Sequence, residues 1–351
     1  MRTPYQSAQR LTTVARNVLV TVELEGGIQG YGEAAPATYV TGETQESVVQ
    51  KVREQARLWI GRDVSDVDAS VLGRTAVSEG WPGAGGALEM ALADAVAREN
   101  GRPFFDRDGT HFHKKQCSRA TDLSLPILPY DETVRRAAEA AQSGFRSLKL
   151  KIGGGDIAAD IARVRAVGEA APGVSLRLDG NQGLTPDAAL YLIGELGDLL
   201  SRIAFLEQPT RAGDDDAMRF VAERIPVPVF ADESVHTAAD ARRLVDSGIC
   251  RGLVLKVAKS GIAETEAIAT VARDFGVPCL FGCMMETHIA IGAALRMAIS
   301  FGTEIVPYLD LDGHLLVDDT DRVEGGFSQR GDILTVDPNQ PGLDVHLRAV
   351  G

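Results

Sequence analysis

The amino-acid sequence predicts an α/β protein, a closed (β/α)8-type barrel with an α+β unit packed beside it. Three observations point there. From about residue 121, short apolar strands alternate with Ala-rich helical segments, and the alternation repeats eight times, the rhythm of parallel strands joined by crossover helices. Before and after that region the rhythm is absent, and short strand patterns stand beside isolated helices. The 351 residues suffice for a barrel of ordinary size plus an accessory unit. A seven-strand doubly wound sheet would read similarly, so the count of eight is what favours closure. The expected organisation is an α+β unit at 1–119, the barrel at 120–315, and a segment at 316–351 that packs back on the first unit.

Taken in order, NVLVTVELEGG (17–27) alternates as a strand and ends in a Gly-Gly turn, with IQGYGEA (28–34) as the return strand. The Pro- and Gly-punctuated loop AAPATYVTGET (34–44) precedes a helix from Glu46 to Ile60. GGALEMALADAVARENG (85–101) reads as an Ala-rich amphipathic helix stopped by glycine, and DRDGTHFHKKQCSR (106–119) as a charged surface link. The eight strands are carried by TDLSLPIL, SLKLKIG, SLRLDGN, IAFLEQP, VPVFADES, GLVLKVAKS, PCLFGCMMET and EIVPYLDLDG. Gly153, Gly154 and Gly155 lack the Lys-Ser/Thr of a phosphate loop and read as the turn into a helix starting near Asp156.

Composition excludes several classes. With 36 Lys+Arg against 49 Asp+Glu the formal charge is −13, the wrong sign for a protein that must neutralise phosphates, so no nucleic-acid partner is expected. Hydrophobic residues at 44% and charged residues at 24% describe an ordinary soluble globular chain. No apolar run approaches the roughly 18 residues of a membrane helix, and MRTPYQSAQR lacks the apolar segment of a secretory signal. Cys117, Cys250, Cys279 and Cys283 are too few and scattered for a disulfide framework or zinc site. Cys279 and Cys283 read as packing groups on a buried strand. His111 and His113 have no partners at zinc spacing and read as surface residues. A soluble cytoplasmic protein follows as the expectation, with no membrane partner and homo-oligomerisation left open.

The chemistry is expected at the C-terminal ends of the strands. Asp179 ends SLRLD, Glu207 ends IAFLE and Asp232 ends VPVFAD, one carboxylate from each of three successive strands. Three adjacent anions repel unless a hard cation sits between them, and magnesium suits oxygen donors with positions left open for substrate. Lys149 and Lys151 are two apart on a strand and so share one face. Lys256 ends GLVLK on the sixth strand, opposite the second in a ring of eight. Lys151 and Lys256 thus bracket whatever the carboxylates hold, the arrangement that 1,1-proton transfer requires. Neighbouring positive charge is expected to lower each lysine pKa toward the range of a base.

KLK, LDGN, LEQP, ADES and LVLKVAKSGI, in this order and spacing, resemble the enolase superfamily and, within it, the muconate-lactonizing-enzyme subgroup. The likeness covers nearly the whole chain. It implies a modified (β/α)7β TIM barrel under an α+β cap built from the N-terminal part and the C-terminal tail; members of the family usually carry a further strand before the position where this sequence starts, so the first edge of the cap is expected to be either missing or rebuilt. It implies Mg2+, one per subunit, on Asp179, Glu207 and Asp232, and stabilisation of an enediolate. By the same resemblance Lys151 and Lys256 are the acid/base pair and Lys149 an electrostatic helper. By the same resemblance Asn181, Gln208, Glu233 and Glu286 are neighbours of these groups or stand behind them, alternation turning Gln208 and Glu233 away from the face that Glu207 and Asp232 use.

YLDLDGH (308–314) places Asp310 and Asp312 two apart at the end of strand eight. Alone, DLDG is a good turn. Within this family the pair looks like that of the dipeptide epimerases, L-Ala-D/L-Glu epimerase among them, where it receives the α-ammonium of a small dipeptide substrate, a cation with three donors. GCMMET (282–287) resembles the same group, with Thr287 near the substrate and Met284 and Met285 as pocket wall. The side chain of the second substrate residue falls to Arg10 and the loop 36–43. Arg10 reads either as the partner of a Glu side chain or as a solvated arginine, while Tyr39 and Val40 suit an apolar group. A Mg-dependent dipeptide epimerase, an isomerase, is the leading expectation. The alternatives are an N-acylamino acid racemase or cycloisomerase of the same subgroup, and a non-catalytic metal- or peptide-binding relative.

Overall fold

The computed structural model describes residues 1–106, 117–318 and 322–348; most of the predicted surface link, with His111 and His113, lies outside the described residues. The chain opens with β1 (Tyr5–Gln6) and β2 (Leu11–Thr12), paired antiparallel. The predicted hairpin follows as β3 (Val18–Glu23) and β4 (Gln29–Ala34), turning at Gly26 and Gly27, both at positive φ, a region open to glycine without strain. α1 (Gln45–Trp59) starts in a capping box between Thr44 and Ser47. α2 (Ala69–Ser78) and α3 (Pro82–Glu99) complete this part of the cap.

One expectation needs correcting here. α3 is not amphipathic: thirteen of its residues, Pro82–Leu92 with Asp94 and Ala95, are buried. Its small side chains let β4 lie directly on it, and a Cβ at Gly30 or Gly32 would run into the backbone of Ala91, Ala95 or Ala87.

β5 (Ser118–Ala120) leads into the barrel. The barrel strands are β6 (Leu123–Leu125), β7 (Ser147–Lys151), β8 (Ser175–Asp179), β9 (Ile203–Glu207), β10 (Val229–Ala231), β11 (Gly252–Leu255), β12 (Cys279–Gly282) and β13 (Tyr308–Asp310). They run parallel in sequence order as one eight-stranded sheet. α4 (Tyr130–Gln142), α5 (Ile157–Ala170), α6 (Pro186–Glu195), α7 (Asp215–Ala222), α8 (Ala238–Asp246), α9 (Val257–Phe275) and α10 (His288–Phe301) follow the first seven strands, whereas β13 is followed by the four-residue α11 (Gly313–Leu316). This is the expected (β/α)7β pattern. The seam between β13 and β6 is closed by irregular bonds: Asp122 N–H to Leu309 O at 3.2 Å, Leu311 N–H to Thr121 Oγ1 at 2.8 Å, and Ser124 N–H to Asp312 Oδ2 at 2.6 Å.

The last segment forms β14 (Val323–Gly325), β15 (Ser328–Arg330), β16 (Ile333–Thr335) and β17 (Val345–Leu347). β16 pairs with β5 and β14 with β17. The segment also reaches α3 of the cap, where Asp94 Oδ1 accepts Leu343 N–H at 2.6 Å and Arg98 donates to Val345 O at 2.8 Å. Ser118 and Arg119, expected in a surface link, belong to this sheet. Arg119 is buried and donates to Ala298 O and Val306 O. Among the described residues no helix is long and apolar enough to cross a membrane.

The cap and barrel meet where α3 crosses α9. α9 bends at Gly261, whose φ is 68°, leaving the next amides without intrahelical acceptors. Glu89 of α3, 2% exposed, takes Ile262 N–H at 2.8 Å and Ala263 N–H at 3.2 Å. A carboxylate here satisfies two orphan donors and complements the helix dipole. Glu89→Ala is expected to lower unfolding free energy by about 2–4 kcal/mol through the lost cap and the orphaned buried amides, read as a shift in denaturant midpoint at unchanged m.

Candidate active site

Alternation along the barrel strands builds the site. Lys149 and Lys151 on β7, Arg177 and Asp179 on β8, and Phe205 and Glu207 on β9 all point inward. Lys151 is in register with Asp179, and Asp179 with Glu207. Phe230, Val254, Leu280 and Tyr308 from β10–β13 complete a lower apolar layer in which Phe205 and Phe230 stack at 4.2 Å. Arg177 lies between Phe205 and Tyr308 and donates to Asp122 Oδ2 and Leu309 O, both at 2.6 Å. Above this layer the inward groups are charged. Lys256 continues β11 in extended conformation and also caps α9. Gly282 faces it, and a Cβ there would stand 2.9 Å from Lys256 Cε, so glycine is what leaves room for the lysine.

The charges are buried and interlocked. Lys149 Nζ reaches Asp310 Oδ2 at 2.7 Å, Glu207 Oε2 at 2.9 Å and Asp179 Oδ2 at 3.1 Å. Lys151 Nζ lies 2.5 Å from Asp179 Oδ2, and Lys256 Nζ 2.6 Å from Asp232 Oδ2. Lys259, which the sequence reading passed over, sits one turn into α9 and donates to Asp232 Oδ1 at 2.7 Å and to Asp232 O at 2.6 Å. Its signal was available: KVAK spaces two lysines three apart, one helical face.

Burial opposes each ammonium, but the carboxylates outweigh it and hold Lys149, Lys151 and Lys256 above the ordinary lysine range. The expected lowering of the Lys151 and Lys256 pKa values is therefore not found, because each faces a carboxylate at hydrogen-bond distance rather than only other cations. The anions nonetheless exceed the cations. Burial and the charges of Asp179 and Asp232 push Glu207 up to about 8. Glu233 rises to about 7 by burial and Asp232, and Asp312 to about 7 by burial and Asp310.

A cavity of about 470 Å³ opens above these groups. Lys151, Lys256, Asp232, Asp310 and Asp312 border it, as do Asn181, Met284, Met285 and Arg10. Arg10 sits over the Tyr39 ring at 5.7 Å. Lys149, Asp179 and Glu207 lie fully buried beneath.

Three placements differ from expectation. Glu233 borders the cavity, because β10 ends at Ala231 and strand alternation no longer governs position 233. Thr287 faces the cap instead, its hydroxyl donating to Glu33 Oε2 at 2.7 Å. Cys283 lies past the end of β12 and borders the cavity, while Cys279 is buried as expected. Gln208 is turned from the cavity and ties β9 to β10, accepting Asp232 N–H at 2.9 Å and donating to Ser234 Oγ at 2.8 Å. Glu286 folds back on its own loop, accepting Met284 N–H at 3.1 Å, and burial with the nearby Glu33 charge raises it to about 8. Tyr5, also unforeseen, borders the cavity from β1; its aromatic position in a two-residue strand carried no recognisable pattern.

Residues 132–349 match the family described as enolase C-terminal domain-like, and residues 1–107 match the N-terminal domain of mandelate racemase/muconate lactonizing enzyme. The chain belongs to the enolase superfamily. Within this mandelate racemase/muconate lactonizing group it is similar to the hydrophobic dipeptide epimerase of Citrifermentans bemidjiense, 34% identical over 89% of this chain and 86% of that one. The substrate-liganded L-Ala-D/L-Glu epimerase of Bacillus subtilis superposes with a TM-score of 0.91 at 29% identity, covering 99% and 96% of the two chains. The dipeptide epimerase of Enterococcus faecalis, solved with Mg and L-Leu-L-Tyr, gives 0.85 at 29% identity, covering 97% and 95%.

Superfamily membership implies a divalent cation, and the donors present suit one. Asp179, Glu207 and Asp232 offer hard oxygens, and the buried Asn181 Oδ1 and Glu233 Oε2 lack hydrogen-bond partners. The surplus of negative charge that raises Glu207 and Glu233 is what a divalent ion neutralises. Among the described residues no three such side chains are gathered around a single point; their oxygens turn to Lys149, Lys151, Lys256 and Lys259. Removing one ammonium exposes the repulsion. Lys149→Met is expected to destabilise the fold by about 3–5 kcal/mol. The carboxyls it leaves would have folded pKa values above their unfolded ones, so stability is lost as pH rises through the folded values. The deficit, read by chemical denaturation, should be larger at about pH 8 than at about pH 6.

Proposed function

We propose that this protein is a divalent-cation-dependent dipeptide epimerase that inverts the α-carbon of the C-terminal residue of a small L,L-dipeptide by proton transfer between two lysines. What carries the reading is the distribution of groups around the ring. Lys151 from strand two and Lys256 from strand six border one cavity. The carboxylates of strands three to five occupy one arc between them, and Asp310 and Asp312 of strand eight the other. A dipeptide has matching ends, a carboxylate next to the α-carbon to be inverted and an ammonium one residue away.

Magnesium held by Asp179, Glu207 and Asp232 would bind the substrate carboxylate and stabilise the negative charge that grows there as the α-proton leaves. Lys151, as the free amine, takes the proton from one face and Lys256, as the ammonium, delivers one to the other, the roles exchanging for the reverse reaction; Asp179 and Asp232, whose charges hold both lysines protonated, are the carboxylates that a divalent ion would engage. Lys149, held by three carboxylates, adds fixed positive charge beneath. Asp310 is held as an anion by Lys149, while Asp312, which borders the cavity, would receive the substrate ammonium through a charge-assisted hydrogen bond. Arg10 forms no ion pair with a carboxylate among the described residues and stands at the cavity mouth, which favours an acidic second side chain, with Ala-Glu first among candidates.

The decisive experiment incubates the protein with Mg2+ and Ala-X dipeptides in D2O and reads deuterium at the second α-carbon. Uptake from Ala-Glu is expected, lost with EDTA and reduced by about 10²–10⁴ in Lys151→Ala, while Lys256→Ala should lower epimerisation by a similar factor. Uptake only from N-acylated amino acids would overturn the dipeptide assignment. Asp310→Asn with Asp312→Asn should lower kcat/KM on dipeptides by about 10²–10³ while Mg2+ binding, followed by calorimetry, persists. At pH 7 Mg2+ binding should release about one proton per ion, because Glu207 and Glu233 are held partly protonated and must ionise; the release, measured in weak buffer, should fall as pH rises above about 8.

A further inference from the structure

The wall formed by Met284 and Met285 belongs to the loop between β12 and α10, and three segments of the cap converge on it. Asn17, just before β3, uses both hydrogens of its side-chain amide. One goes to Glu33 Oε1 at 2.6 Å and the other to Met285 O at 2.7 Å. The Asn17 carbonyl accepts from Gln45 Nε2 at 3.0 Å. Glu33 of β4, 3% exposed, takes Thr287 N–H at 3.0 Å, the Thr287 hydroxyl at 2.7 Å and Ala290 N–H at 3.2 Å. A single carboxylate of the cap thus supplies acceptors to the N-terminus of a barrel helix.

Met284 and Met285 are held from different sides. Met284 is fixed by the barrel: its N–H goes to Glu286 Oε2, its carbonyl accepts Glu286 N–H at 3.0 Å, and Gly313 packs against that carbonyl too closely for a Cβ. Met285 O is gripped by Asn17 of the cap. Asn17, Gln45 and Met285 border the active-site cavity, and so does the strap 10–17, whose Leu11 and Val14 are exposed at 55% and 54%.

We infer that Asn17 is a positioning residue for substrate selectivity: its amide latches the strap 10–17 to Met285 and so sets the gap between the cap wall and the barrel wall of the pocket for the second substrate side chain. The occupant of that pocket rests on the dipeptide-epimerase reading; the latch does not. An amide is required because the position must donate twice, toward a carboxylate and toward a carbonyl. Aspartate would place a second anion beside Glu33 and donate nothing, and alanine would leave both acceptors without their partner.

The test uses Asn17→Ala and Asn17→Asp in the full chain. Amide hydrogen exchange read by mass spectrometry should rise about tenfold in 283–290 and in 10–17 together, the loss expected for one buried charge-assisted contact, with 147–151 unchanged. In kinetics, kcat for Ala-Ala should stay within about twofold while KM for the preferred larger dipeptide rises about tenfold, flattening the selectivity between them. Unchanged exchange in 283–290 overturns the latch. A uniform fall in kcat on every dipeptide with a lowered melting temperature overturns the positioning role and reduces Asn17 to a folding contact. If the wild-type chain exchanges no dipeptide, the functional reading fails on its own, and the behaviour of 283–290 still decides for or against the latch.

Discussion

The structure depends on a surplus of buried negative charge held at the mouth of the barrel. Asp179, Glu207, Asp232 and Asp310 are gathered from the ends of four barrel strands, and four lysines bind them without neutralising the cluster fully, Asp312 standing beside it with no lysine of its own in an ion pair among the described residues. Charges taken from water are tolerable only when paired in good geometry. Here the pairing comes from strand register: Lys151 beside Asp179, and Asp179 beside Glu207. The remaining imbalance falls on Glu207, Glu233 and Asp312, on the two arcs where a divalent ion and a substrate ammonium would add positive charge. The apolar layer of Phe205, Phe230, Val254, Leu280 and Tyr308 closes the barrel beneath the cluster.

The second constraint is the union of cap and barrel. Glutamates of the cap end on barrel helices, Glu89 on the bent α9 and Glu33 on α10. Each places a buried carboxylate where helix amides have no other acceptor, which makes the interface directional as well as apolar. The cap contributes Tyr5, Arg10 and Asn17 to the cavity, so the pocket exists only while the two parts are joined. Gly282 shows the same economy at the scale of one residue, its missing Cβ leaving the space that the Lys256 side chain fills.

Much was legible in the sequence. Strand periodicity and repeat count determined the barrel, because parallel strands and crossover helices impose different periods on apolar residues. Acids and lysines at strand ends identified the candidate catalytic groups, since alternation and strand order together fix which side chains share a face. The sequence could not reveal that α3 is buried almost throughout, because small residues suit close packing and exposed helices equally. Nor could it place Glu233, which lies two residues past the end of its strand, where alternation no longer holds, or Thr287, whose hydroxyl is claimed by a glutamate 254 positions away. The lysine pKa directions, the roles of Lys259, Tyr5 and Glu33, and the grip of Asn17 on Met285 were decided by tertiary structure alone. Each depends on distances between segments remote in the chain, and local pattern carries no record of those.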